Sequence, residues 1–88
     1  MPSEIEIETA EFMNKLFRKA NWNNVYDRRE HFKRFRYLDK IIKEQSKKDW
    51  IIIHKKPKFE AYSLNTKYKI EIFNFIEVNK PELKGSFR

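Results

Sequence analysis

One glycine in 88 residues, Gly85 near the C-terminus, narrows the folds open to this chain. Glycine enters positive φ without steric cost, so an architecture built on many tight, left-handed turns is closed to it. Asparagine must serve at such positions. The same scarcity excludes a Gly-rich phosphate loop and a Gly-x-Ser-x-Gly nucleophile elbow. Cysteine is absent, which excludes disulfides and thiolate metal sites and leaves the core self-sufficient. Eight Phe, four Tyr and two Trp supply large buried areas per residue. They argue for an ordered domain despite 38% charged residues.

The length allows one domain over residues 1–88 with a modest core. Ser3 and Glu6 have capping-box spacing, and Ile5, Phe12, Leu16 and Ala20 recur on one helical face. A helix from Ser3 to Ala20 is the favoured reading. The competing one takes Ile5 and Ile7 as a half-exposed strand, with Thr9 capping a shorter helix. Asn21–Asn24 breaks the pattern, and a second helix is expected from Val25 to Gln45, capped by Asn24. Trp50–Ile53 and Phe59–Leu64 read as strands, joined through Pro57, and Asn65-Thr66 as a hairpin turn. In the second strand Phe59, Ala61 and Ser63 alternate with Glu60, Tyr62 and Leu64. Lys67–Val78 alternates for half its length and reads as a third strand, after which 81–88 forms a tail. The expected fold is α+β, with two N-terminal helices packed on a three-stranded antiparallel sheet.

The net charge of +7 is uneven. Residues 1–13 hold four Glu and no cation, whereas residues 28–48 hold nine Lys or Arg against three acids. Within the expected second helix, Arg29, Lys33, Arg36, Lys40, Lys43 and Lys47 recur at intervals of 4, 3, 4, 3 and 4 and form one stripe. Phe32, Phe35, Leu38 and Ile42 form another and should be buried. Arg28 and Arg34 flank the cations. A cationic stripe backed by an apolar one suits a polyanion, with phosphates neutralised by mobile Lys and Arg. Acid-first pairs Asp39–Lys43 and Glu44–Lys48, with Glu44 also near Lys40, leave Arg29, Lys33, Arg36 and Lys47 as the freer cations. Tyr37, Tyr26 and Trp22 are candidates to stack on bases, with Trp22 better placed to plug the core.

His31 and His54 lack the close spacing of metal ligands, so neither a metal nor a cofactor is expected. The first 13 residues lack a long apolar run, and Trp50–Ile53 is too short to cross a bilayer. The chain thus reads as intracellular, cytoplasmic or nuclear. Three functions follow, non-catalytic ones foremost. The first is an accessory protein that binds DNA or RNA through the basic face. The second is a phage-type modulator of a host protein, suggested by a composition rich in Ile, Lys, Asn and Phe, with an acidic protein surface as partner and Phe73, Phe75, Ile76 and Phe87 as an apolar patch. The third is a small ribonuclease. A helical pair followed by a three-stranded meander resembles the RelE/ParE class of toxins in topology. In that class a strand precedes the helices, here Ile5–Ile7. No motif matches, so no residue roles are carried over.

Overall fold

A computed structural model describes residues 3–85. The first helix, α1, spans Glu4–Arg18. Ser3 caps it as expected: its Oγ accepts from the Glu6 N–H (3.2 Å), and the Glu6 carboxylate accepts from the Ser3 N–H (3.0 Å). These bonds hold the exposed Glu6 carboxyl below its ordinary pKa. Residues 4–8 are therefore helical, and the strand that the toxin topology requires before the helices is absent there.

Two helices end in the same way. After α1, the Asn21 N–H donates to Leu16 C=O and the Ala20 N–H to Phe17 C=O, both 2.9 Å. After α2 (Leu38–Lys47), Trp50 N–H donates to Gln45 C=O and Asp49 N–H to Ser46 C=O, both 3.1 Å. This is the Schellman arrangement, which requires a left-handed residue just past the helix. Here that residue is Ala20 (φ 56°) and Asp49 (φ 62°), where glycine is usual. Asn23 (φ 55°) takes a left-handed turn as the composition suggested, but Ala20 and Asp49 bear the other two.

The second helix is shorter than expected. Asp27–Arg28 forms a two-residue strand, β1, Arg29–Phe32 a 3₁₀ turn, and only Leu38–Lys47 is α-helical. Its sequence contains no Gly or Pro to break it; distant partners do so instead. Asp27 and Arg28 pair with Tyr62 and Ala61. The Tyr37 N–H, at the start of α2, donates to the Glu8 carboxylate of α1 at 2.6 Å. Asn24 therefore does not cap α2. The apolar stripe survives this break: Phe32, Phe35, Leu38 and Ile42 are all buried.

The two expected strands form β2 (Ile51–Lys55) and β3 (Glu60–Leu64), an antiparallel hairpin running from Ile51↔Leu64 to Lys55↔Glu60. The sheet is three-stranded and antiparallel, in the order β1-β3-β2. Its third strand comes from before α2, not from Lys67–Val78. That segment is instead a helix, α3 (Lys69–Asn79), entered through a 3₁₀ turn at Thr66–Tyr68. Asn65 starts the turn by accepting the Lys67 N–H at 3.0 Å. The alternation of Tyr68, Ile70 and Ile72 suggests a strand, but the buried set, Ile72, Phe73, Ile76 and Asn79, has helical spacing. A further 3₁₀ turn, Pro81–Leu83, begins the segment expected to be a tail, and Leu83 packs on the core.

Tyr62, Leu64, Ile51 and Ile53 face the helices, α1 packing on β3 and α2 on β2, while α3 packs against α1. Phe12 of α1 lies at the centre, with ring centroids 4.8 Å from Phe32, 5.8 Å from Phe35 and 6.0 Å from Tyr62. Trp22 plugs one end, edge-on to Phe17 and Phe73. We expect Phe12→Ala to cost about 3–5 kcal/mol in urea denaturation, since the cavity opens where three rings meet. Ala20→Gly should raise stability by up to about 1 kcal/mol in the same assay, because it removes a Cβ from a left-handed position.

Candidate anion-binding concavity

The break in the second helix folds the basic segment around a concavity instead of along a straight stripe. The hollow, about 700 Å³, lies between 28–40 and the end of the β2–β3 hairpin. Arg28, Arg29, Lys33, Arg36 and Lys40 line it from one side and Lys58 from the other. Three carboxylates, Glu30, Asp39 and Glu60, share the wall, so six cations face three anions. Tyr37 lines it too, but its hydroxyl donates to Glu4 at 3.0 Å. That bond raises the phenol pKa.

The stripe of six cations is thus divided. Lys43 and Lys47 are exposed on α2 outside the hollow. Arg34, whose guanidinium sits 5.0 Å from the Phe35 ring centre, turns to the opposite side. There it joins Lys15, Arg18, Lys19 and Lys80 around a second hollow of about 470 Å³, beside Glu11 and Glu82. Burial, and then the like charges of Lys19 and Arg34, holds the Lys15 ammonium below the usual lysine range. Lys58, in the hairpin turn, is the cation that helical periodicity had no means of placing.

The ranking of free cations also changes. Arg29 is the most tethered: it pairs with Asp39, donates to the Tyr62 hydroxyl at 3.0 Å and lies 3.7 Å from the Glu60 carboxylate. Arg28 approaches Glu30 at 3.6 Å. Among the described residues Lys33, Arg36, Lys40, Lys43, Lys47 and Lys58 form no ion pair. Lys40 and Lys43 are free because Asp39 bonds backwards to Arg29 rather than forward along the helix, and Glu44 forms no bridge to Lys40 or Lys48.

Two buried acid groups fix the frame of the hollow. Tyr62 has no exposed surface, and its hydroxyl donates to Glu60. Burial first, then that hydrogen bond, pushes its pKa up to about 12 against the opposing pull of Arg29. Asp27, 8% exposed, accepts from Lys19 at 2.9 Å and pairs with His31 Nδ1. Burial pushes its carboxyl upward, but the two hydrogen bonds and their charges outweigh this and hold it below the ordinary range. Lys15 donates to the His31 carbonyl, so α1 grips the turn from both ends.

The apolar patch expected on the third strand is spent on the core. Phe73 and Ile76 are buried and Phe75 packs on Trp50, while Phe87 lies outside the described residues. Among the described residues no group of three or more His, Asp or Glu is placed to hold a metal, and no helix is long and apolar enough to cross a membrane. No protein-family model, curated protein or solved structure matches this chain.

The Tyr62 shift sets a pH dependence. The unfolded chain releases this proton near the ordinary value of 10.0 and the folded chain near 12. Between these values the folded state binds more protons, so stability falls as pH rises through the window. Asp27 acts oppositely: its depressed pKa gives stability above the ordinary carboxyl range that is lost as pH falls through the folded value. Ultraviolet titration should show a late tyrosine step near 12. Tyr62→Phe should remove that late step, and Asp27→Asn should flatten the acid side of the stability profile.

Proposed function

We propose that this protein binds nucleic acid without catalysis, using the concavity between residues 28–40 and Lys58. The observation that carries the reading is the convergence of six cations on one hollow, four of which, Lys33, Arg36, Lys40 and Lys58, have no acidic partner among the described residues. Cations that are unpaired and mobile can neutralise phosphates and release their counterions, which is the main source of sequence-independent affinity. Arg29, by contrast, serves as a strut between Asp39, Tyr62 and Glu60. The net charge of +7 favours encounter with a polyanion over the whole surface.

One observation favours a second reading, a metal-independent ribonuclease. Asp27 holds the half-exposed His31 ring by Nδ1, so Nε2 is the nitrogen left for proton transfer, as in an oriented general base. Lys15, Lys19 and Arg34 lie beside this region as charges able to hold a phosphate. For the protein-modulator reading, Phe73 and Ile76 are buried in the core, while Ile70 and Val78 on α3 are exposed.

Fluorescence anisotropy at several salt concentrations tests the choice. Changing Lys33, Arg36, Lys40 and Lys58 together to Gln should weaken nucleic-acid binding by roughly two to three orders of magnitude at moderate salt. The slope of log affinity against log salt should flatten by roughly 0.7–0.9 for each phosphate that is no longer neutralised. Circular dichroism should be unchanged, because exposed charges contribute little to stability. Labelled RNA should stay intact, and His31→Ala should bind as the parent does. Unchanged binding and slope in the quadruple variant would remove the proposal, and RNA cleavage abolished by His31→Ala would put the ribonuclease reading in its place.

A further inference from the structure

Among the described residues, no helix packs on one face of the sheet. Cross-strand register places Arg28, Ala61 and His54 directly opposite one another, and Ser63 opposite Ile52, on the side away from Tyr62 and Leu64. The middle strand contributes only small side chains to this face, Ala61 and Ser63, and both are fully buried. Rings lie over it. Tyr26, 37% exposed, stacks on His54 with centroids 4.6 Å apart and planes 32° from parallel, and Phe59 follows at 6.2 Å. The Arg28 guanidinium covers Phe59 at 4.3 Å, and Lys56 lies 5.7 Å from the Tyr26 ring centre. His54 is held in place: the Ser63 hydroxyl donates to the Asn23 carbonyl at 2.7 Å, and His54 Nε2 contacts both oxygens, at 2.9 and 3.1 Å. That pattern requires the proton on Nε2.

We infer that this aromatic row is a stacking platform for unpaired bases, so that the preferred ligand is single-stranded rather than duplex nucleic acid. The inference rests on the nucleic-acid reading above and names its substrate class. Aromatic faces beside Lys and Arg bind bases irrespective of sequence, because every base has a π-face. Base pairing hides those faces inside a duplex, so a platform of this kind discriminates by strandedness. Continuity with the concavity supports the assignment. Arg28 and Phe59 belong to both the row and the hollow, and Lys58 adjoins Phe59. A strand with bases on Tyr26 and Phe59 therefore has its phosphates beside the free cations.

Anisotropy with an oligothymidylate and a blunt DNA duplex of equal length tests this. The single strand should bind at least tenfold more tightly. Tyr26→Ala and Phe59→Ala should each weaken it by roughly 5- to 150-fold, and Tyr26→Ala, which lies outside the hollow, should leave the duplex affinity and the salt slope unchanged. Tyr26→Phe should behave as the parent, since the ring is retained. If an Ala variant proves unfolded by circular dichroism, proton resonances of the Tyr26 and Phe59 rings in the parent protein decide. They should move upfield on adding oligothymidylate, and unshifted ring resonances at saturation overturn the inference. Equal affinity for both ligands, with Ala variants that bind as the parent, overturns it while leaving the concavity reading intact. Failure to bind either ligand overturns both.

Discussion

The packing of Phe12 against Phe32, Phe35 and Tyr62 is the interaction on which the rest depends. These four rings come from α1, from the 3₁₀ turn, from the loop before α2 and from β3. A continuous helix through 25–45 would place Phe32 and Phe35 on one stripe, able to meet one neighbouring element. Bending the chain at 29–37 lets both rings close around Phe12. Burial of aromatic area and edge-on ring contacts together outweigh the helical hydrogen bonds that the bend gives up.

That bend also makes the hollow. In a straight helix Lys33, Arg36 and Lys40 would be evenly spaced along a convex surface. In the folded chain they curve around a hollow whose far wall is Lys58. The two buried acid groups keep the curve rigid from behind: Asp27 ties the turn to α1 through Lys19, and Tyr62 receives the Arg29 guanidinium. Arg29 thereby brings Asp39 and Glu60 to the same point, so these two acids pair with Arg29 and leave Lys33, Arg36, Lys40 and Lys58 without an ion pair among the described residues. The sheet face that carries the ring row begins at the same edge, because Arg28 is at once the last residue of β1 and part of the wall.

Independent features coincide at that edge of the molecule. The hollow is cationic, four of its cations lack acidic partners among the described residues, and it borders a row of rings on a sheet face that no helix covers. Each alone is common on protein surfaces; most charge runs are solvated and most surface rings cap a core. Their adjacency at Arg28, Lys58 and Phe59 is what would join phosphate contact to base stacking.

The sequence by itself determined the local elements and the inventory of the core. The Ser3–Glu6 box starts α1, the alternation of 59–64 makes a strand, and Phe32, Phe35, Leu38 and Ile42 are buried as their spacing demands. These features depend on neighbours within a few residues, so they are legible in one dimension. The tertiary structure alone decided where the second helix breaks, that 69–79 is helix rather than strand, and which cations are free. Each rests on a partner far along the chain. Tyr37 N–H meets Glu8, 29 residues away; Arg28 pairs with Ala61; Arg29 reaches Tyr62, 33 residues away. Periodicity constrains which side chains share a face, but only the closed core decides how many turns of helix are needed to bury them.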